Sequence, residues 1–343
     1  VKTAVVICPG RGTYTKTELG YLKRHFKDAA LLADFDARRA AAGQESLSAL
    51  DGAASYSVAR HTRGDNASAL IYASTLGDFR ALAGVKVVAV TGNSMGWYSA
   101  LACAGALTAE AGFDVVNTMG TLMQERLIGG QLIYPFVDES WRPDAARKAE
   151  LLALVAAIGA RAGHSLGLSI DLGGMLVLAG NEAGLSAFEA AVPPVQGRFP
   201  MRLANHAAFH TALQAPVAAE GRARLSPALF GQPDLPLVDG RGHVWWPGAV
   251  DPQALWDYTL GHQVTEAYDF TRAITHAARE FAPDLFIITG PGTTLGGAVA
   301  QSLILANWRS WRSKTDFQTA QTAAPVLVSM GMDDQRRLVT KGD

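Results

Sequence analysis

Cysteine is scarce in this chain: among 343 residues only Cys8 and Cys103 carry a thiol. Two cysteines cannot build a disulfide framework or a usual zinc site, and both lie in apolar stretches that read as buried free thiols. No metal-ligand spacing occurs elsewhere. Net charge is equally slight, −1 from 30 basic and 31 acidic residues, so no global field draws nucleic acid or an anionic membrane. No apolar run approaches the roughly 18 residues of a membrane span. Residues 1–8 are mostly apolar but lack the length and flanks of a signal peptide, and they lead straight into a turn. Phosphate-binding G-x-x-x-x-G-K and dinucleotide glycine patterns are missing too. These absences predict a reducing, cytoplasmic setting, with no metal, no tightly bound cofactor and neither nucleic acid nor membrane as partner.

What is abundant is apolar sequence, 49% of the chain, enough for a large core. Residues 3–7, 85–91, 284–289 and 325–330 read as buried strands. Helical spacing falls between them at 16–32, 67–82, 109–125, 254–260 and 268–281, while 41–65 is loop-like in part. This alternation predicts an α/β fold with a mainly parallel sheet covered on both faces. The rhythm changes at 127–204. There a strand at 131–137, a helix at 142–162, strands at 168–172 and 175–178, a helix at 181–191 and a strand at 199–203 follow in the ferredoxin-like order. The expected organisation is a large hydrolase-like α/β domain (1–126 and 205–330), with a small ferredoxin-like α+β domain (127–204) inserted in it. A polar tail, 331–343, should fray.

Chemistry is concentrated where the valine-rich run ends, at Gly92-Asn93-Ser94-Met95-Gly96. This G-x-S-x-G lies between a strand and an alanine-rich helix, the setting in which the serine becomes a nucleophile at the tip of a sharp turn. The following helix N-terminus favours developing negative charge. A second match, Gly163-His164-Ser165-Leu166-Gly167, lies between a helix and a strand and reads as a helix end. Ser94 needs a base. Position does not choose among eight histidines, but the segment 203–213 narrows the choice, since a short apolar strand ends there and His210 opens a helix beside Phe209.

Four motifs, in order, resemble the acyltransferase family of malonyl-CoA:acyl-carrier-protein transacylases and polyketide synthase acyltransferase domains. They are Pro9-Gly10-Arg11-Gly12-Thr13, Gly92-Asn93-Ser94-Met95-Gly96-Trp97-Tyr98-Ser99-Ala100, Ala208-Phe209-His210-Thr211 and Gly290-Pro291-Gly292-Thr293-Thr294-Leu295. Together they span about residues 1–300. The resemblance implies an acyl-serine on Ser94, with His210 as base and the main-chain carbonyl of Gln263 orienting it. It also implies an oxyanion hole from the main-chain N–H groups of Arg11 and Met95. CoA or phosphopantetheine thioesters would be substrates and acyl carrier protein the partner, in fatty-acid or polyketide biosynthesis.

The departures bear on the substrate. Where malonyl-specific members carry a carboxylate-pairing arginine, this chain has Met119. Asn93 stands in place of the usual histidine, Trp97 in place of glutamate and Arg11 in place of glutamine. Asn93, Trp97, Met119 and Phe209 are the expected substrate-binding residues. A carboxylate against Met119 would lose its bidentate partner, which implies a neutral, non-malonyl acyl group; Arg11 is the alternative cation, from another direction. A carrier-protein-directed acyl hydrolase and a non-catalytic carrier-protein-binding scaffold are the alternative functions. Arg60, Arg63, Arg198 and Arg202 are candidates to line the approach of an acidic partner.

Overall fold

In the computed structural model, which describes residues 1–342, strand β1 (Lys2–Cys8) lies in the middle of a six-stranded sheet. Its last five residues are fully buried. The sheet order is β11 (Leu327–Ser329), β10 (Leu285–Ile288), β1, β2 (Val85–Gly92), β7 (Leu237–Val238) and β8 (Val244–Trp245). Every pair is parallel except β7 with β8. Strands this buried read as continuous apolar runs rather than alternating ones, as Ala4-Val5-Val6-Ile7 and Leu285-Phe286-Ile287-Ile288 do. Helices Gly64–Ala81, Gly96–Cys103, Ala109–Arg126 and Phe270–Phe281 share one core with the sheet.

A second sheet runs β6 (Met201–Arg202), β3 (Gly130–Pro135), β5 (Met175–Gly180), β4 (Leu166–Leu172) and β9 (Tyr268–Asp269). Helices Ala145–Gly159 and Glu182–Ala191 pack on it around a separate apolar cluster that includes Leu132, Tyr134, Ile158 and Phe188. The first four strands and two helices follow the β-α-β-β-α-β order. The fifth strand comes from the stretch expected to be purely helical at 268–281. Tyr268 and Asp269 stay extended, and the Asp269 side chain caps the helix that follows by accepting the Arg272 N–H.

Several other expectations need correction. The helix expected at 16–32 is broken at Gly20, whose φ is 84°, and a new helix starts at Ala29 under the side chain of Asp28. Within 41–65, Leu47–Asp51 and Val58–His61 are short helices. The helix expected at 254–260 ends at Asp257 and widens into a π-type turn, Tyr258–His262.

The tail docks on the large domain through residues 333–340 rather than fraying there. Residues Asp333–Arg336 form a helical turn, Val339 is fully buried, and its carbonyl accepts the Ala83 N–H at 2.8 Å. Arg336 Nη1 reaches Asp78 Oδ1 at 2.5 Å, and Asp78 Oδ2 also accepts from Tyr21 Oη (2.5 Å) and the Gly290 N–H (2.7 Å). Composition cannot reveal such docking, because one arginine and one valine carry it. Burial pushes the Asp78 carboxyl up while Arg336 pulls it down. Removing one partner of a buried pair leaves an uncompensated charge, so Arg336→Ala should cost about 3–5 kcal/mol. Urea unfolding would measure it, and a midpoint like that of the parent would show the tail to be dispensable.

Candidate active site

Two glycines make the turn after β2. A Cβ on Gly92 would overlap the backbone of Gly96, and one on Gly96 would overlap the carbonyl of Cys8. Strand, helix and the end of β1 therefore meet backbone to backbone. The residue between them takes the strain: Ser94 has φ 56°, in the left-handed region that disfavours a side chain. The turn thereby aims Oγ at His210, and Oγ to Nε2 is 2.7 Å.

His210 does not open a helix. It sits in a left-handed turn, φ 57°, ahead of the turn Ala212–Gln214 and helix Ala215–Arg224. Its Nδ1 lies 2.7 Å from the main-chain oxygen of Gln263. A carbonyl only accepts, so Nδ1 carries the proton and the Nε2 lone pair faces the serine hydroxyl. Gln263 begins a single turn, Gln263–Thr265, that the chain leaves at Glu266 in extended conformation. Its carbonyl therefore lacks a helical partner and is available to the imidazole. Burial pushes the His210 pKa down to about 4, against the opposing effect of the Gln263 bond.

Further groups brace this pair that sequence reasoning did not find. Gln263 Nε2 donates to the Ser94 carbonyl at 3.0 Å, and Gln263 Oε1 accepts from Tyr98 Oη at 3.2 Å. Tyr268 Oη donates to the Gly92 carbonyl at 2.5 Å. Nothing in the local sequence marks them, because each bond spans more than 160 residues. Among the described residues no carboxylate bonds to His210: Asp171 holds Lys148 and Thr271, and Asp239 holds Arg241 and Trp245. The first loop packs on the elbow so closely that a Cβ on Gly10 would lie 2.5 Å from the Asn93 carbonyl. The main-chain N–H groups of Arg11 and Met95 have no acceptor among the described residues.

Two cavities meet at Ser94. The larger, 410 Å³, is walled by the second sheet, the first loop and the elbow, and its lining includes Ile133, Ile170, Val177 and Leu295 as well as Arg11, Asn93 and His206. The smaller, 20 Å³, is bounded by Met119, Met123, Phe209 and Gln263 and has room for about one water. Met119 is fully buried, and a Cβ on Gly221 would come 2.5 Å from its sulfur, so the thioether fills a notch in the neighbouring helix. Phe209 borders both cavities. Trp97 borders neither: it is fully buried behind the elbow, with Nε1 donating to Thr259 Oγ1 at 3.0 Å. Its expected contact with substrate is corrected to packing, because the second residue of the helix that follows the turn points into the core. Arg60, Arg63 and Arg202 are paired with Glu45, Asp65 and Glu182, and Arg198 lies over the ring of Phe199.

The same folded arrangement occurs in known proteins. A malonyl-CoA:acyl-carrier-protein transacylase from Synechocystis superposes with a TM-score of 0.74 over 99% of this chain and 100% of that one, at 18% identity. The chain has the malonyl-CoA:acyl-carrier-protein transacylase fold. In sequence it is 29% identical over 214 residues to polyketide synthase GfsB of Streptomyces halstedii, covering 62% of this chain and 4% of that protein. It is 24% identical over 211 residues to the malonyl CoA-acyl carrier protein transacylase of Salmonella typhimurium, covering 61% of this chain and 63% of the relative. The matched stretches thus span less than two thirds of either relative. No family model matches the chain.

Within the transacylase fold, the protonation state of His210 is open to direct measurement. Only the neutral imidazole can accept the Ser94 proton, so reactivity should be lost as pH falls through about 4 and be flat above the ordinary imidazole range. Labelling of Ser94 by a fluorophosphonate against pH reads this. A midpoint near the unperturbed value of about 6.5 would contradict the desolvated imidazole.

Proposed function

We propose that this chain is an acyltransferase that moves an acyl group between CoA and acyl-carrier-protein thioesters through an ester on Ser94. The observation that supports it most is the 2.7 Å contact of Ser94 Oγ with His210 Nε2, backed by the 2.7 Å bond from Nδ1 to the Gln263 carbonyl. In this reading Nε2 takes the hydroxyl proton as Oγ bonds to the thioester carbon. The Arg11 and Met95 N–H groups hold the oxyanion. Collapse breaks the carbon–sulfur bond, and the departing thiolate takes the proton from His210. A second thiol reverses the sequence on the same atoms. The names of the two sequence relatives, a polyketide synthase and a transacylase acting on acyl carrier protein, agree with CoA or carrier-protein thioesters as substrates.

The acyl group in this reading is uncharged and not malonyl. Met119 is fully buried beside a cavity of only 20 Å³. A carboxylate driven there would give up its hydration without a partner, a loss of several kcal/mol. A hydrolase of the same fold shares the first half-reaction and differs only in what attacks the ester.

Intact-protein mass measurement separates these readings. Acetyl-CoA should acylate the parent protein and not Ser94→Ala, and His210→Ala should slow the step about 10²–10⁴-fold. The ester should persist until a thiol acceptor is added. Prompt release of free acid without acceptor assigns the hydrolase, preferential malonylation removes the neutral-acyl reading, and no adduct from any donor leaves a binding scaffold.

A further inference from the structure

One corner of the large cavity beside Ser94, where Arg11 and His206 both lie against the Phe209 ring, holds unfilled hydrogen-bonding groups of opposite sense. Arg11 has five N–H donors. Nη2 gives its own to the carbonyls of Thr62 (2.6 Å) and Asn205 (2.9 Å). The Nε donor is buried without an acceptor, and Nη1 makes no hydrogen bond among the described residues. Asn93, adjacent to Ser94 and only 8% exposed, has a buried Oδ1 with no donor among the described residues. Both residues border the cavity together with Ser94.

No carboxylate bonds to Arg11 among the described residues. Two main-chain oxygens hold it, its Cζ lies 5.4 Å from the centre of the Phe209 ring, and Asp65 supports it from a distance. What remains open is donor capacity. Across the same wall, His206 gives Nδ1–H to Gln131 Oε1 at 2.8 Å, because the Gln131 amide nitrogen is committed to Ser169 Oγ. The His206 Nε2 is therefore an acceptor. Burial and Arg11 both keep that ring neutral. A carboxylate in this corner would satisfy Arg11 but face the lone pairs of His206 and Asn93. A plain alkyl chain would leave every one of these groups unmade, the costly outcome for buried polar atoms. A hydroxyl both accepts and donates, and it can answer the Asn93 amide whichever way that amide is turned.

We propose that Arg11 and Asn93 form a hydroxyl-binding subsite, and that the acyl group carried on Ser94 is a hydroxyacyl group. The inference rests on the acyl-serine reading and adds the identity of the acyl class. Its test compares single-turnover acylation of the full chain by 3-hydroxybutyryl-CoA, butyryl-CoA and malonyl-CoA, followed by intact mass. The hydroxylated donor should react at least about tenfold faster than butyryl, as expected of a site that hydrogen-bonds a substrate hydroxyl. That ratio should collapse toward one in Arg11→Met. Asn93→Ala, which leaves the Arg11 bonds to Thr62 and Asn205 in place, should lower it independently. Equal rates for the two butyryl-type donors would overturn the subsite while leaving the acyl-serine intact. Malonyl-CoA reacting fastest, and losing that advantage in Arg11→Met, would overturn it in favour of a carboxylate reader. No adduct from any donor would remove the acyl-serine reading and this inference with it.

Discussion

The bond from His210 Nδ1 to the Gln263 carbonyl is the constraint on which the site depends. A carboxylate in that position would hold the imidazole proton strongly and raise its pKa. A carbonyl offers only a partial charge, so desolvation dominates and the ring stays neutral down to about pH 4. The ring is thereby kept in one tautomer with its basic nitrogen toward Ser94 at 2.7 Å. The carbonyl also sits near the end of a helical turn, where the dipole favours the transient positive charge that the proposed mechanism places on His210. Orientation and transient stabilisation are thus both supplied by backbone.

That carbonyl is itself held by the fold. The π-type turn before Gln263 widens the helix, a departure from regular geometry that often marks functional positions. The Gln263 side chain then returns to the Ser94 carbonyl and to Tyr98, tying the partner of His210 to the turn that carries Ser94. Tyr268, the first residue of β9, bonds the Gly92 carbonyl and lies against His210, with ring centres 5.4 Å apart. The fifth strand of the second sheet therefore links that sheet to the elbow. On the far side Asp78 secures the Gly290 N–H, and Thr75 Oγ1 donates to the Gly290 carbonyl at 2.8 Å, which fixes the loop leading to Leu295 on the cavity wall.

Features that depend on short-range steric rules were legible in the sequence. The elbow could be read because glycine is required at 92 and 96 and because a strand and a helix flank it. The β-α-β-β-α-β order of 127–204 was legible for a similar reason, from its alternating period and turn residues, whereas the fifth strand of that sheet was not. One miss was local: Gly20, in the left-handed region, and Asp28, as an N-cap, break a stretch read as one helix of mixed charge. The other misses were set by long-range partners. The polar tail docks through Arg336 and Val339, against a composition that argued for fraying. Trp97 could not be placed from spacing alone, because both faces of the helix that begins at Gly96 are buried.

Backbone and side-chain contributions to this site differ in how freely they can change. The donors proposed for the oxyanion and the acceptor for His210 are main-chain atoms, so replacing the residue at 11, 95 or 263 leaves them in place. Substrate contacts have no such protection. Methionine at 119 turns one end of the site into a sulfur-filled notch, and arginine at 11 brings a guanidinium in from the first loop. In the proposed reading, both positions act on one acyl group from different sides. Met119 offers a carboxylate no partner, and Arg11 brings donors whose hydrogen-bond partners among the described residues are main-chain oxygens. Exchanging a charge partner for unfilled donors and an unfilled amide shifts recognition from ionic pairing toward hydrogen bonding, where one missing hydroxyl leaves several buried groups unpaired at once. Selectivity of that kind can change while the Ser94 and His210 geometry stays as it is.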